Sequence, residues 1–165
     1  MVEVLIASVL LSVILLATFG LVTQGVRRAY SAKQITRATV AAQAVLERAN
    51  VAAPHINLGG VGTGTAALTY TFNATTGTLA PAAAADTTPA QTERTKWRTI
   101  VSTSELPAPS LVVTLTPLPA GRSFDTSAIV RIVVDVSWDE VFGGTVSARR
   151  RRSTRLQTFN IRSAT

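Results

Sequence analysis

The chain has 165 residues, 16 of them Lys or Arg against 9 Asp or Glu, giving a formal net charge of +7 with no cysteine and one histidine. That length suits one domain, and the roughly 110 residues beyond the apolar N-terminus can bury a modest core. Without cysteine there is no disulfide, thiolate metal site or cysteine nucleophile, and the lone His55 cannot build the multi-histidine sites of zinc or non-haem iron, so it reads as a solvated loop residue. The arginine-borne charge suits an acidic partner, whether nucleic acid, anionic lipid or a neighbouring subunit, and does not choose among them.

From Val4 to Gly25 no residue is charged. At about 1.5 Å rise per residue, a helix of that length approaches the roughly 30 Å hydrocarbon thickness of a bilayer. A secretory signal peptide would carry a basic start, a shorter apolar run and a small-residue cleavage site, whereas this segment opens Met1-Val2-Glu3 and runs on. Past Gly25, Ile35, Ala38, Ala42, Val45 and Ala49 recur at three- and four-residue spacing while Arg37, Gln43 and Arg48 fall off that stripe, which predicts an amphipathic helix. No proline intervenes before Pro54, so the two stretches read as one helix of about 50 residues, on the order of 75 Å long. The expected division is a spanning half over 1–25, an amphipathic half over 26–53, and a β-rich head over 54–165. Gly20 and Gly25 mark either points where the helix softens or admits a neighbour, or glycines that a membrane helix tolerates.

Within the head, Asn57 to Thr65 and Thr75 to Pro89 are Gly-, Ala-, Thr- and Pro-rich and read as loops, with a mobile stretch over about 75–95. Ala67 to Phe72, Trp97 to Thr103 and Leu111 to Thr116 read as strands, and Asp125 to Ser127 as a turn. The strongest strand follows. Val130, Ile132, Val134, Val136 and Trp138 fall on one face, and Arg131, Asp135 and Ser137 on the other, the alternation of an antiparallel sheet with one buried side. Gly143-Gly144 predicts a turn leading back through Thr145 to Ala148, and Thr154 to Ile161 a last strand with Leu156 and Phe159 as its large apolar residues. A helix stripe and an apolar sheet face have only each other to bury against, so the expected class is α+β, a long helix packed on an antiparallel sheet.

Glu3 is an acid at the edge of an apolar span. A carboxylate in lipid costs a few kcal/mol on insertion scales, so it calls for a cation, and the N-terminal amine of a neighbouring helix is a better placed partner than its own. Alternatively, Glu3 lies at the membrane surface and complements the helix dipole.

The segment Met1-Val2-Glu3-Val4-Leu5-Ile6-Ala7 resembles the start of the type IV pilins and type II secretion pseudopilins, an apolar helix with a glutamate shortly after the cleavage point. Val134-x-Val136-x-Trp138, the arginine-rich sequence after it and Leu156-x-Thr158 are similar to the last strands of minor pilins and pseudopilins. The specific likeness covers about the first thirty residues. It implies a precursor whose basic leader, ending in glycine, is removed by a prepilin peptidase, a methylated N-terminus, and polymerisation through the helix at an assembly platform. The expected subunit is anchored in the inner membrane with its head extracytoplasmic, then joins a surface or periplasmic filament with other pilin subunits. Glu3 matches the family's glutamate. The leader, its glycine and the usual phenylalanine are not in this sequence, so the processing site is expected upstream of Met1. Arg27, Arg28, Lys33 and Arg37 follow the span and by the positive-inside rule would place the head in the cytoplasm; a basic leader would reverse that.

Arg149, Arg150, Arg151, Arg152 and Arg155, with Arg162, form the densest basic cluster. Spaced along a surface hairpin, they suit a solvated turn and polar strand face or an acidic partner subunit and, less well, DNA, since no stacking aromatic is interleaved with the run. Trp97 and Trp138 read as core residues. Asp139 and Glu140 beside the glycine turn fall short of the six or more oxygens calcium takes and read as turn chemistry. Asn73-Ala74-Thr75 fits a glycosylation sequon. No acid/base constellation, nucleophile elbow or phosphate loop can be assembled, so the expectation is no enzyme, cofactor or metal, but a structural subunit. The competing class is a single-pass anchored binding module, which would tolerate Glu3→Ala.

Overall fold

The computed structural model describes residues 2–52, 68–73, 79–80, 88–119, 127, 129–141 and 149–161. The expected turns at Asp125 to Ser127 and Gly143-Gly144, the return through Thr145 to Ala148, the loop from Asn57 to Thr65, His55 and most of the sequon lie wholly or largely outside these residues. Two compact units are distinguished, Met1–Ile35 and Thr36–Thr165.

One helix, α1, runs over Val2–Ala52 and contributes to both units. In the second unit its Ala38, Ala41, Ala42, Val45 and Ala49 are buried. Mostly alanine, this face lets the helix backbone lie close to whatever it covers, where larger side chains would hold it off. Ile35, expected on the stripe, is 43% exposed; at about 100° per residue it stands some 60° round the helix from Ala38.

The sheet consists of β1 (Leu68–Asn73), β2 (Leu79–Ala80), β3 (Ser110–Leu118), β4 (Ile129–Val141) and β5 (Arg149–Ile161). All neighbours are antiparallel, in the order β2-β1-β3-β4-β5. The alternation read from β4 holds: Val130, Ile132, Val134, Val136 and Trp138 are all buried, while Arg131 is exposed and Asp135 and Ser137 are partly so. These residues join Tyr70, Phe72, Leu111, Val113 and Leu115 in one cluster with Ala38, Ala42, Val45 and Ala49 of α1, the helix-on-sheet packing that the sequence implies. Asn160 on β5 closes one end, its Nδ2 donating to Asn50 O at 2.7 Å and Asn50 Oδ1 at 2.9 Å. Strand β3 extends past the expected Thr116 through a proline. There Pro117 lies opposite Val130 of β4.

Two elements differ from expectation. Leu79–Ala80, inside the stretch expected to be a loop, pairs with β1 as the short strand β2. Trp97 to Ser102, predicted as strand, belongs to a helix, α2 (Thr88–Ser102), which also takes up the end of the stretch expected to be a mobile loop. The β-branched residues Thr95, Thr99, Ile100 and Val101 favour a strand by propensity. Arg94, Trp97 and Val101 are the buried ones, and their three- and four-residue spacing lays a helix face on the core instead. Pro89 stands in the first turn, where a missing N–H costs nothing. Trp97 meets Tyr70 edge to face at 6.0 Å, and the Arg94 guanidinium lies over the Tyr70 ring, 5.3 Å from its centre.

Two outcomes follow for the full chain in detergent micelles. Trp138→Ala should lower unfolding stability by about 3–5 kcal/mol, read by denaturant titration of near-UV circular dichroism. Burial pushes the Tyr70 hydroxyl above the ordinary value of 10.0, with Arg94 pulling the other way. The folded state thus favours neutral Tyr70, and this contribution is complete below about pH 10 and lost as pH rises through the folded value. Tyr70→Phe should therefore show a shallower alkaline loss of stability than the parent chain.

Candidate assembly surfaces

The first unit is a helix whose apolar side chains find nothing to pack on within it. Leu16 and Phe19 are 74% and 75% exposed, and Val2, Val4, Leu5, Leu10 and Leu21 are comparably bare. One helix among the described residues is long and apolar enough to cross a membrane, and none of its most apolar window is buried. It is compatible with a single membrane span. Apolar surface on this scale marks contact with lipid or with another protein.

The polar residues of this stretch are not alike. Ser8 donates to Leu5 O and Ser12 to Ser8 O, both at 2.8 Å. Thr18 donates to Ile14 O at 2.8 Å and Thr23 to Phe19 O at 2.7 Å. Each hydroxyl is returned to its own helix, the usual way such side chains are accommodated away from water. Glu3, in the first turn, is exposed and has no such bond among the described residues. A Cβ at Gly20 or Gly25 would meet nothing within 4 Å, so either position admits a close neighbour without requiring one.

The second surface is the arginine run. Arg149 to Arg152 lie within β5, and a strand sends successive side chains to opposite faces. Arg152 therefore falls on the face that carries Trp138, its register partner, and Arg151 and Arg155 on the other. Arg152 Nε donates to Glu140 Oε2 at 2.9 Å, and the Glu140 side chain is only 4% exposed. Arg151 Nη1 stands 3.6 Å from Asp139 Oδ1, while its Nη2 donates to Ser137 Oγ at 2.9 Å and to Ser110 Oγ. Arg150 and Arg155 are exposed and have no ion pair among the described residues. The side chain of Arg149 lies outside the description.

Asp139 and Glu140 accordingly belong to β4 and its pairing, which corrects their reading as turn residues. Opposite charges facing across a hairpin account for them: Asp139↔Arg151 and Glu140↔Arg150 are paired positions, and Arg152 is the diagonal neighbour of Glu140. The signal in the sequence was an acidic pair shortly before Gly143-Gly144 and a basic run shortly after it. Ser110 and Ser137, joined Oγ to Oγ at 2.8 Å, carried no sequence signal as partners of Arg151. They floor a shallow groove of about 500 Å³ with Thr71, Asn73, Asp135 and Ser153. No group of three or more His, Asp or Glu residues able to hold a metal ion occurs among the described residues.

The contrast within the run is measurable. Arg152→Ala removes the Arg152 contact from the buried Glu140 carboxylate and should cost about 1–3 kcal/mol of stability. Arg155→Ala, at an exposed site, should stay within about 0.5 kcal/mol in the same denaturant titration.

Compared with protein-family models, with curated proteins and with solved structures, the chain has no match in any of the three.

Proposed function

We propose that this chain is a filament subunit of the type IV pilin and type II secretion pseudopilin kind, a minor subunit, anchored by α1 in the inner membrane and assembled through that helix. The observation that carries the reading is the isolation of Glu3: every hydroxyl from Val2 to Thr23 is bonded to the helix's own carbonyls, and the one acid is not. A carboxylate drawn into lipid needs a cation, and the amine at the start of a neighbouring helix supplies one in register.

On this reading the apolar helices pack side by side as the filament grows, and each added Glu3 recruits the next amine. The sheet heads stay outside the membrane. A prepilin peptidase and an assembly platform are the implied partners, and the chain does no chemistry of its own. A second reading, a single-pass anchored binding module, draws on the hydroxyl-floored groove beside Arg151, and it leaves Glu3 no role beyond the helix dipole.

The two readings part at Glu3. Glu3→Ala in the full reading frame, expressed in its own host, should abolish recovery of the chain in sheared filaments while membrane levels hold. Glu3→Asp should retain part of it. Filament recovery equal to the parent for Glu3→Ala contradicts the proposal.

A further inference from the structure

On the side of α1 turned away from the sheet, Val40, Gln43, Glu47 and Val51 form an exposed stripe, Val40 at 59% and Val51 at 71%. At about 100° per residue they stand opposite Ala38, Ala42, Val45 and Ala49. Glu47 has no ion pair or hydrogen bond among the described residues. The sheet has its own bare patch on the face away from α1, where Ile129, Phe159 and Ile161 are 37%, 53% and 77% exposed. Ile129 pairs with Ile161 and Arg131 with Phe159, so Arg131 stands among these three; it is exposed and likewise has no partner among the described residues.

We infer that these two surfaces dock on each other in successive copies of the chain, Glu47 of one copy meeting Arg131 of the next. This rests on the filament reading above and names the head faces that meet. The spacing matches. Glu47 and Val51 are one turn apart, about 6 Å along the helix, and Arg131 and Ile129 are two strand residues apart, about 6.7 Å. With Glu47 against Arg131, Val51 lands on the Ile129–Ile161 row. Each surface sets one unpaired charge beside exposed apolar side chains, and the charges are opposite.

A second copy fits this patch better than nucleic acid does. A phosphate backbone is held by several free cations, whereas here one arginine is flanked by three large apolar side chains. The two surfaces also lie on opposite sides of the helix-and-sheet layers. Contact between them is heterologous, and unless a rotation happens to close a ring it propagates as an open filament.

The chain has no native cysteine, so engineered ones report without background. The full chain carrying Val51→Cys and Ile161→Cys, expressed in its host and treated with a short bifunctional maleimide, should give a ladder of multimers that neither single variant gives. Adding Glu47→Arg or Arg131→Glu should cut the ladder about fivefold or more, and adding both should restore it to within about twofold. A separate variant, Leu10→Cys, reports helix-to-helix assembly alone. No ladder from the head pair while Leu10→Cys still cross-links overturns the docking and leaves the filament reading intact. Loss of both at unchanged expression overturns both. A ladder indifferent to either charge reversal overturns the Glu47–Arg131 contact.

Discussion

Burial of the alanine face of α1 under the sheet is the interaction on which the head depends. Ala38, Ala42, Val45 and Ala49 share one buried cluster with the row of β4 residues from Val130 to Trp138, and among the described residues neither surface has another apolar partner of that size. The small side chains of the helix leave the filling of the core to the residues they face. The large contributions come from the other side, from Trp138, Leu111, Leu115 and Ile132, all almost wholly buried. Because side chains this bulky must fill the gap left by alanines, enlarging a residue on the helix would strain the head, and shrinking one on the sheet would open a cavity. α2 adds Trp97 and Val101 to the same core, so that one continuous cluster serves both helices.

The second constraint is charge. A hairpin bearing Arg149 to Arg152 would repel itself or attract indiscriminately if its arginines stood free. Instead β4 ends in two acids, Glu140 holds Arg152 and Asp139 faces Arg151. The alternation of the strand divides the run between two faces, and on each of them an acid answers an arginine, which weakens the case for DNA as the partner. Among the described residues, the charged side chains with no hydrogen bond, ion pair or ring contact are Glu3, Arg27, Arg28, Lys33 and Glu47 on α1 and Arg131, Asp135, Arg150 and Arg155 on the sheet. On the proposed reading Glu3, Glu47 and Arg131 are satisfied by a neighbouring copy.

Much of this was legible in the sequence because two periods dominate it. The uncharged run from Val4 to Gly25 and the alanine spacing after it identify α1, and strict alternation identifies β4. Those patterns also imply the helix-on-sheet class, since each surface needs the other. α2 was not legible. Its β-branched residues point to a strand, and tertiary burial of Arg94, Trp97 and Val101 along one side overrides that local preference. The fate of the arginines was half legible: their density was plain, but their partners depend on hairpin register, which turn length sets and composition does not. The groove on the outer face needs Ser110, Ser137 and Ser153 aligned across three strands, a relation between residues far apart in the chain.

The account turns on whether α1 meets other copies of itself outside the cell's membrane fraction. The most direct measurement is to express the complete reading frame in its host, shear the cells, and identify by mass spectrometry whether the chain is present in the pelleted filaments. The account predicts the intact chain there, α1 included, at a constant ratio to the other filament subunits. A chain found only in membranes, as a monomer, would contradict it.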